Sequence, residues 1–290
     1  MKKLLPVFLY ATSSLSLFAA GDVHKKAEVI DLGFDLGFPV TNSMVTSWVV
    51  SIFIICVIRF TVGKPKLVPG KGQIIVESII GALRSILQPI VGKKAFFPSF
   101  WLLTGLFFFI FIHNISGLMP GVGTVGWGSV QDGHFLISKP LIRPANADLN
   151  MTLALALVSM FFWFYYIFAY AGPKVIWHDL FGVKAEKKDV GAIIYYCLVP
   201  LFLAVGIIEI LSIIFRPVSL TFRLFGNIFG GESLLHSMFV LGDKFGLAWI
   251  VPLPFYFMEV LIALVQALVF MLLVAVYIGL ICNHGDEEAH

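Results

Sequence analysis

The sequence predicts an all-α polytopic membrane protein, and three observations carry that prediction. Hydrophobic residues make up 59% of the 290 residues and charged residues only 13%, about half the charged share of a soluble domain. The apolar residues gather in stretches that match a bilayer, which needs about 20 residues of helix at about 1.5 Å each. The last third breaks that length rule, since residues 193–241 hold only four charges, Glu209, Arg216, Arg223 and Glu232. The expected architecture is about five membrane helices after signal removal, the last two a long, steeply tilted hairpin, plus one amphipathic surface helix.

The N-terminus reads as a secretory signal. Lys2 and Lys3 give a basic start, residues 4–17 are apolar but short, and Ala19-Ala20-Gly21 is a small-residue cleavage site. Residues 1–21 are thus read as a signal peptide and 22–44 as an external N-terminal tail. Residues 45–290 form a single membrane domain. A retained first span is the alternative at this end.

The first span is placed at 45–62. A basic connector with Lys64, Lys66 and Lys71 follows, and then 73–91 places Ile75, Ile79, Leu83, Ile86, Leu87 and Ile90 on one stripe, with Glu77, Arg84 and Gln88 off it. That pattern suits a helix lying along the membrane surface. The second span, 97–118, is rich in Phe and ends at Met119-Pro120-Gly121. Residues 121–146 read as a loop punctuated by Gly and Pro, and 149–171 as the third span. The next connector carries Lys174, Lys184, Lys187 and Lys188. By the positive-inside rule the two Lys-rich connectors face the cytoplasm. With an odd number of spans the N-terminus is then external and the C-terminus cytoplasmic.

Residues 193–241 amount to about 73 Å of helix and 249–282 to about 51 Å, against an apolar slab of about 30 Å. Only a short connector separates them, so they form a hairpin within 191–283. Mismatch of that size is relieved by steep tilt or by breaking, and Pro217 with Gly226, Gly230 and Gly231 permits kinks.

Several functional classes are absent from the pattern. The net charge of +3 reflects loop topology and not nucleic-acid binding. Cys56, Cys197 and Cys282 lie in or beside apolar runs without a CxxC pair and read as small buried hydrophobes. There is no P-loop, no Cys/His metal cluster and no nucleophile triad, so no metal or cofactor is expected and nucleotide chemistry belongs to partner chains.

What remains is the intramembrane charge. An Arg at mid-bilayer costs roughly 3 kcal/mol or more, and a guanidinium keeps its proton in proteins. Glu209, Arg216 and Arg223 are spaced by sevens, so they share nearly one helical stripe, with Asn227 a turn further. A static salt-bridge ladder is the plain alternative for Glu209 with Arg216. Arg223 has no acid at i±3 or i±4 and invites a carboxylate from a partner. His113 reads as an interhelical hydrogen-bond donor or a channel contact, and Asp148 and Asn150 as helix caps or a channel mouth.

The run Ser219-Leu220-Thr221-Phe222-Arg223-Leu224-Phe225-Gly226-Asn227, with Glu232 nine residues after the Arg, resembles the signature of the a subunit of F-type ATP synthases. The resemblance covers most of the chain from about Ser43. It includes Asn114-Ile115-Ser116-Gly117-Leu118-Met119-Pro120, the stretch from Pro144 to Thr152, and Gln266-Ala267-Leu268-Val269-Phe270 with Tyr277. It implies a bacterial inner-membrane stator component beside a rotating ring of c subunits, with b-type stator subunits and the rest of the F1Fo complex as partners. Two offset proton half-channels would couple proton translocation to ring rotation and ATP synthesis, with Arg223 between them. Glu209 would line the cytoplasmic path; Asn227, Glu232, Glu259 and Gln266 would line or support the other. Glu259 stands where one common family pattern has a His, so His236, one turn after Glu232, is a candidate for the missing imidazole and equally a hydrogen-bonded packing residue. A self-contained ion-coupled secondary transporter is the alternative. It would normally show an internal repeat, and the two halves here differ in span length and charge.

Overall fold

The structure is a computed structural model and describes residues 40–119, 126–131, 134–140, 143–171, 192–247 and 249–287. Six helices follow in order: α1 (Asn42–Val62), α2 (Lys71–Val91), α3 (Lys93–Leu118), α4 (Leu149–Tyr166), α5 (Ala192–Lys244) and α6 (Leu253–Glu287). Each contains a stretch long and apolar enough to cross a membrane. They correspond to the five expected spans and the amphipathic helix. The segment read as a signal peptide, the expected tail as far as residue 39 and the connector around Lys184–Lys188 lie outside the described residues.

Local chemistry explains the helix ends. Thr41 caps α1, its hydroxyl accepting from the Met44 N–H, so the helix starts three residues before the apolar run that predicted it. Gly63 and Gly92 follow α1 and α2 with φ of 60° and 81°, a region that L side chains avoid. In α2, Leu83, Leu87 and Val91 are buried, whereas Ile75, Ile79 and Ile86 of the predicted stripe are exposed. The apolar face is therefore wider than its protein-facing part, as a helix with a lipid-facing side requires. Gln73 ties α2 to the preceding connector, accepting from Lys66 N–H at 3.2 Å and donating to Lys66 C=O at 3.1 Å.

The stretch read as a loop is not without regular structure. Strand β1 (Gly126–Gln131) pairs antiparallel with β2 (His134–Pro140), from Gly126↔Pro140 to Gln131↔His134, with an irregular register at Trp127/Gly128. The intervening pair in the sequence, Asp132-Gly133, is a favoured hairpin-turn pair. A single 3₁₀ turn (Ala145–Ala147) leads into α4, which ends in a π-helical turn (Ile167–Ala171).

Helix α5 runs 53 residues and α6 35, or about 80 Å and 53 Å of rise. The second arm starts later than predicted, at Leu253, and residues 249–252 form turns. Val251 and Leu253 each precede a proline, which disfavours helical backbone before it, while Pro254 falls in the first turn, where its missing N–H has no cost. Pro200 and Pro217 lie inside α5. The Thr221 hydroxyl donates to the Pro217 C=O at 2.7 Å, a bond that bends helices.

The chain divides into two compact units. One gathers the residues up to Pro65 with Phe108–Thr152 and Arg223–Leu268; the other gathers Lys66–Phe107, Leu153–Phe222 and the chain from Val269. Helices α3, α4, α5 and α6 pass from one unit into the other.

Candidate functional site

In the unit that contains Arg223, the buried side chains are unusually polar. Asn42, Ser43, Thr46, Ser47, His113, Asn114, Asn146, Thr152, Glu259 and Gln266 are all buried there. Asn146 Nδ2 donates to Asn114 Oδ1 at 2.6 Å, and Asn114 Nδ2 reaches the Ala263 C=O of α6 at 3.5 Å. These residues lie in the two stretches, 114–120 and 144–152, that the family resemblance singled out. Asp148 acts as the expected cap and makes one contact more. Its Oδ1 accepts the Asn150 N–H at 3.0 Å as a cap, and its Oδ2 accepts the Ser43 hydroxyl at 2.9 Å. His113 Nδ1 meets the Phe109 C=O of its own helix at 2.8 Å, and its ring stacks on Phe109.

Two close contacts form between the arms of the hairpin. Asn227 Nδ2 donates to Gln266 Oε1 at 2.6 Å. Glu259, only 5% exposed, lays its carboxyl group against the Cα of Gly231, so closely that a Cβ at position 231 would collide with Cδ and both oxygens. Gly231 is adjacent to Glu232 in the chain. His236 is half-buried one turn after Glu232. Gln266 Nε2, Asn146 Oδ1 and Ser233 Oγ are buried without a partner among the described residues, and polar atoms of this kind are ordinarily hydrated.

Arg223 is exposed on α5, and among the described residues none pairs with it. Leu220 and Leu224 on the same helix are buried. In the other unit, α5 exposes Ile208, Leu211, Phe215, Val218 and Phe222. The most apolar window of α5 is only 6% buried, against 44% for α6.

Glu209 belongs to the other unit. Its Oε1 accepts from Arg216 Nη2 at 2.8 Å. The Arg216 guanidinium in turn lies 4.4 Å from the Tyr277 ring centroid and 5.3 Å from that of Trp163. A desolvated cation–π contact is worth on the order of 2 kcal/mol. Trp163 Nε1–H donates to the backbone C=O of Tyr277 at 2.8 Å, which ties the indole to the helix that carries Tyr277. The Glu209–Arg216 bond was legible as a ladder from the spacing of seven, but nothing in the sequence marked Trp163 among six tryptophans as half of a cage. Gly231 was read as a kink permitter, and its close approach to Glu259 was missed for the same reason: both depend on which helix lies opposite. Among the described residues no group of His, Cys, Asp and Glu is arranged to hold a metal ion.

Comparison with known proteins bears on what this arrangement does. The family model described as ATP synthase A chain matches residues 44–279. ATP synthase subunit a of Desulfotalea psychrophila is 32% identical over 247 residues, covering 85% of each chain. The proteins of the same name from Geotalea daltonii and Geobacter sulfurreducens are 31% and 29% identical, each over 86% of this chain and 89% of their own.

Proposed function

The chain belongs to the ATP synthase A chain family, and from that membership we propose that it carries protons past a ring of small partner subunits and couples their passage to rotation and ATP synthesis. It is a membrane component of the F-type ATP synthase. In this reading the c ring and b-type stator subunits are its neighbours, its N-terminus is external, its C-terminus is cytoplasmic, and the nucleotide chemistry is done by other subunits.

The observation that carries the proposal is Arg223: a permanent cation, exposed on the long apolar helix α5 with no partner among the described residues. Facing lipid, it would cost several kcal/mol. Facing a ring of mid-membrane carboxyl groups, it is matched by each carboxylate in turn. As a carboxyl group approaches, the fixed cation favours its ionised form, so the proton leaves. The same charge opposes a proton passing straight along the protein. Only a planar, always-protonated fork keeps this role throughout the cycle.

The polar residues support the reading of two half-channels. The buried Asn114–Asn146 contact, the Asn227–Gln266 bond, Glu232, His236 and Glu259 supply groups for one. Water hydrates such groups, and the carboxyl groups exchange protons with it. Glu209, 45% exposed, supplies the cytoplasmic path. The test is Arg223→Ala in the assembled complex. Coupled ATP synthesis in inverted vesicles is expected to vanish while the subunits still co-purify, with passive proton leak rising. Arg223→Lys should retain little coupled activity. Normal synthesis by the Ala variant, or purification of the chain as a lone transport-competent oligomer without a ring, overturns the proposal.

A further inference from the structure

We propose that Arg216 is a positioning residue for the Glu209 carboxylate, held in place by an aromatic cage so that one oxygen of Glu209 is fixed and the other is left to exchange protons. The inference rests on the reading of Glu209 as a cytoplasmic-path residue and adds the group that sets its geometry.

The asymmetry of the pair is the starting point. The Arg216 side chain is 11% exposed and that of Glu209 is 45% exposed. The cation is therefore buried and its acid is open, the reverse of a carboxylate tucked away to neutralise a surface arginine. Burial of a guanidinium demands compensation, and here rings provide it: Tyr277 and Trp163 both lie within cation–π range. The indole N–H bond to the backbone C=O of Tyr277 ties the indole to the helix that carries Tyr277.

The choice of rings over a second acid has a chemical consequence. An aromatic face attracts a guanidinium through its quadrupole but offers no carboxylate to compete for protons. A second Asp or Glu would hold Arg216 as well and would also take up protons beside the path. In the observed arrangement Glu209 is the one carboxylate on Arg216 among the described residues. Its Oε1 is engaged by Nη2, and a charge-assisted bond of this kind fixes direction as well as distance. The other oxygen takes a proton from a hydrated proton in the path and returns it to the next water. Arg216 loses none of its own protons in that exchange.

The experiment measures passive proton flux through the membrane sector of the whole complex in inverted vesicles, normalised to assembled complex. Glu209→Gln tests the underlying reading: unchanged flux removes Glu209 from the path. Where Glu209→Gln lowers flux, Arg216→Met is expected to lower it about fivefold, and Arg216→Lys, which keeps a cation for the rings and the acid, to restore a substantial part. The Glu209→Gln/Arg216→Met double variant should be no slower than Glu209→Gln alone, because the cation acts only through that carboxylate. Full flux in Arg216→Met, or multiplicative losses in the double variant, overturns the inference while leaving Glu209 in the path. Should Met prevent assembly, Trp163→Leu against Trp163→Phe decides: the Leu variant, which has no ring, should be the slower, and equal flux overturns the cage.

Discussion

The unit holding Arg223 buries amides, a carboxyl group and an imidazole: Asn42, Asn114, Asn146, Gln266, Glu259 and His113. The other unit buries rings and branched side chains, with Phe96, Phe100, Leu103, Trp163, Phe270 and Ile278 among them. Its buried hydroxyls mostly bond back to their own helices, as Ser99 does to Ala95 and Ser159 to Leu155. In an apolar surrounding each buried amide costs free energy unless it is hydrogen-bonded. A unit that keeps several between different segments is organised around polar contacts; among the described residues of the other, the buried amide Gln73 bonds only to its own helix and the preceding connector, and that unit is organised around packing. The difference teaches that the same two long helices serve both purposes, since α5 and α6 contribute to each unit.

Two glycines give the sharpest way to break this comparison, because both mark close approaches but to different atoms. A Cβ on Gly231 would meet the Glu259 carboxyl group; a Cβ on Gly279 would meet the Ile90 C=O and the Val91 Cα. Gly231→Val should push Glu259 from its seat and cut passive proton flux by between about tenfold and a hundredfold, with the complex still assembling. Gly279→Val should instead lower the amount of assembled complex and leave flux per complex close to normal, since a backbone cannot move aside as a carboxyl group can. Flux loss from the second variant with full assembly would erase the distinction between the units.

The next effect is on the amide network. Asn114→Leu strands the Asn146 Nδ2 donor in the protein interior, at a cost of about 1–3 kcal/mol. Denaturant titration of the purified complex should show the loss, and flux should fall as well. Tyr166→Phe is the matching change in the apolar unit. It removes the hydroxyl bond to the Pro98 C=O at 2.8 Å and is expected to cost about 1 kcal/mol with flux unchanged.

The spans were legible because hydrophobic length is a property of the chain itself, and so was the charged stripe, since spacing by seven fixes a helix face whatever lies opposite. That Arg223 finds no partner on its own helix was legible because no acid lies at i±3 or i±4. The Gly231–Glu259 approach, the Asn114–Asn146 bond and the Trp163–Tyr277 cage were not, because each depends on which residues of separate segments meet. The β-hairpin was missed for a smaller reason: Gly and Pro punctuation dominated the reading of 121–146, and the Asp132-Gly133 pair was passed over. The start of α6 was misplaced because hydropathy counts Trp249, Ile250 and Val251 as helix while Pro252 and Pro254 set the boundary.

The smallest expected effect probes the comparison from its quiet side. Ser99 and Ser159 are buried, and each donates to a carbonyl four residues earlier in its own helix, at 2.6 Å and 2.8 Å. That carbonyl already accepts the regular helical N–H, so the hydroxyl satisfies itself without being needed by its acceptor. Changing Ser to Ala removes donor and hydroxyl oxygen together, leaves no polar group stranded and vacates little volume. The cost should stay within about 0.5 kcal/mol, or turn slightly favourable because Ala is the better helix former. The Ser99→Ala/Ser159→Ala double variant should therefore match the parent complex in denaturant midpoint and in proton flux. A fall in flux at unchanged stability would mean that these hydroxyls hydrogen-bond water on a proton path, and the apolar unit would then have to be redrawn as a second conducting region beyond Glu209.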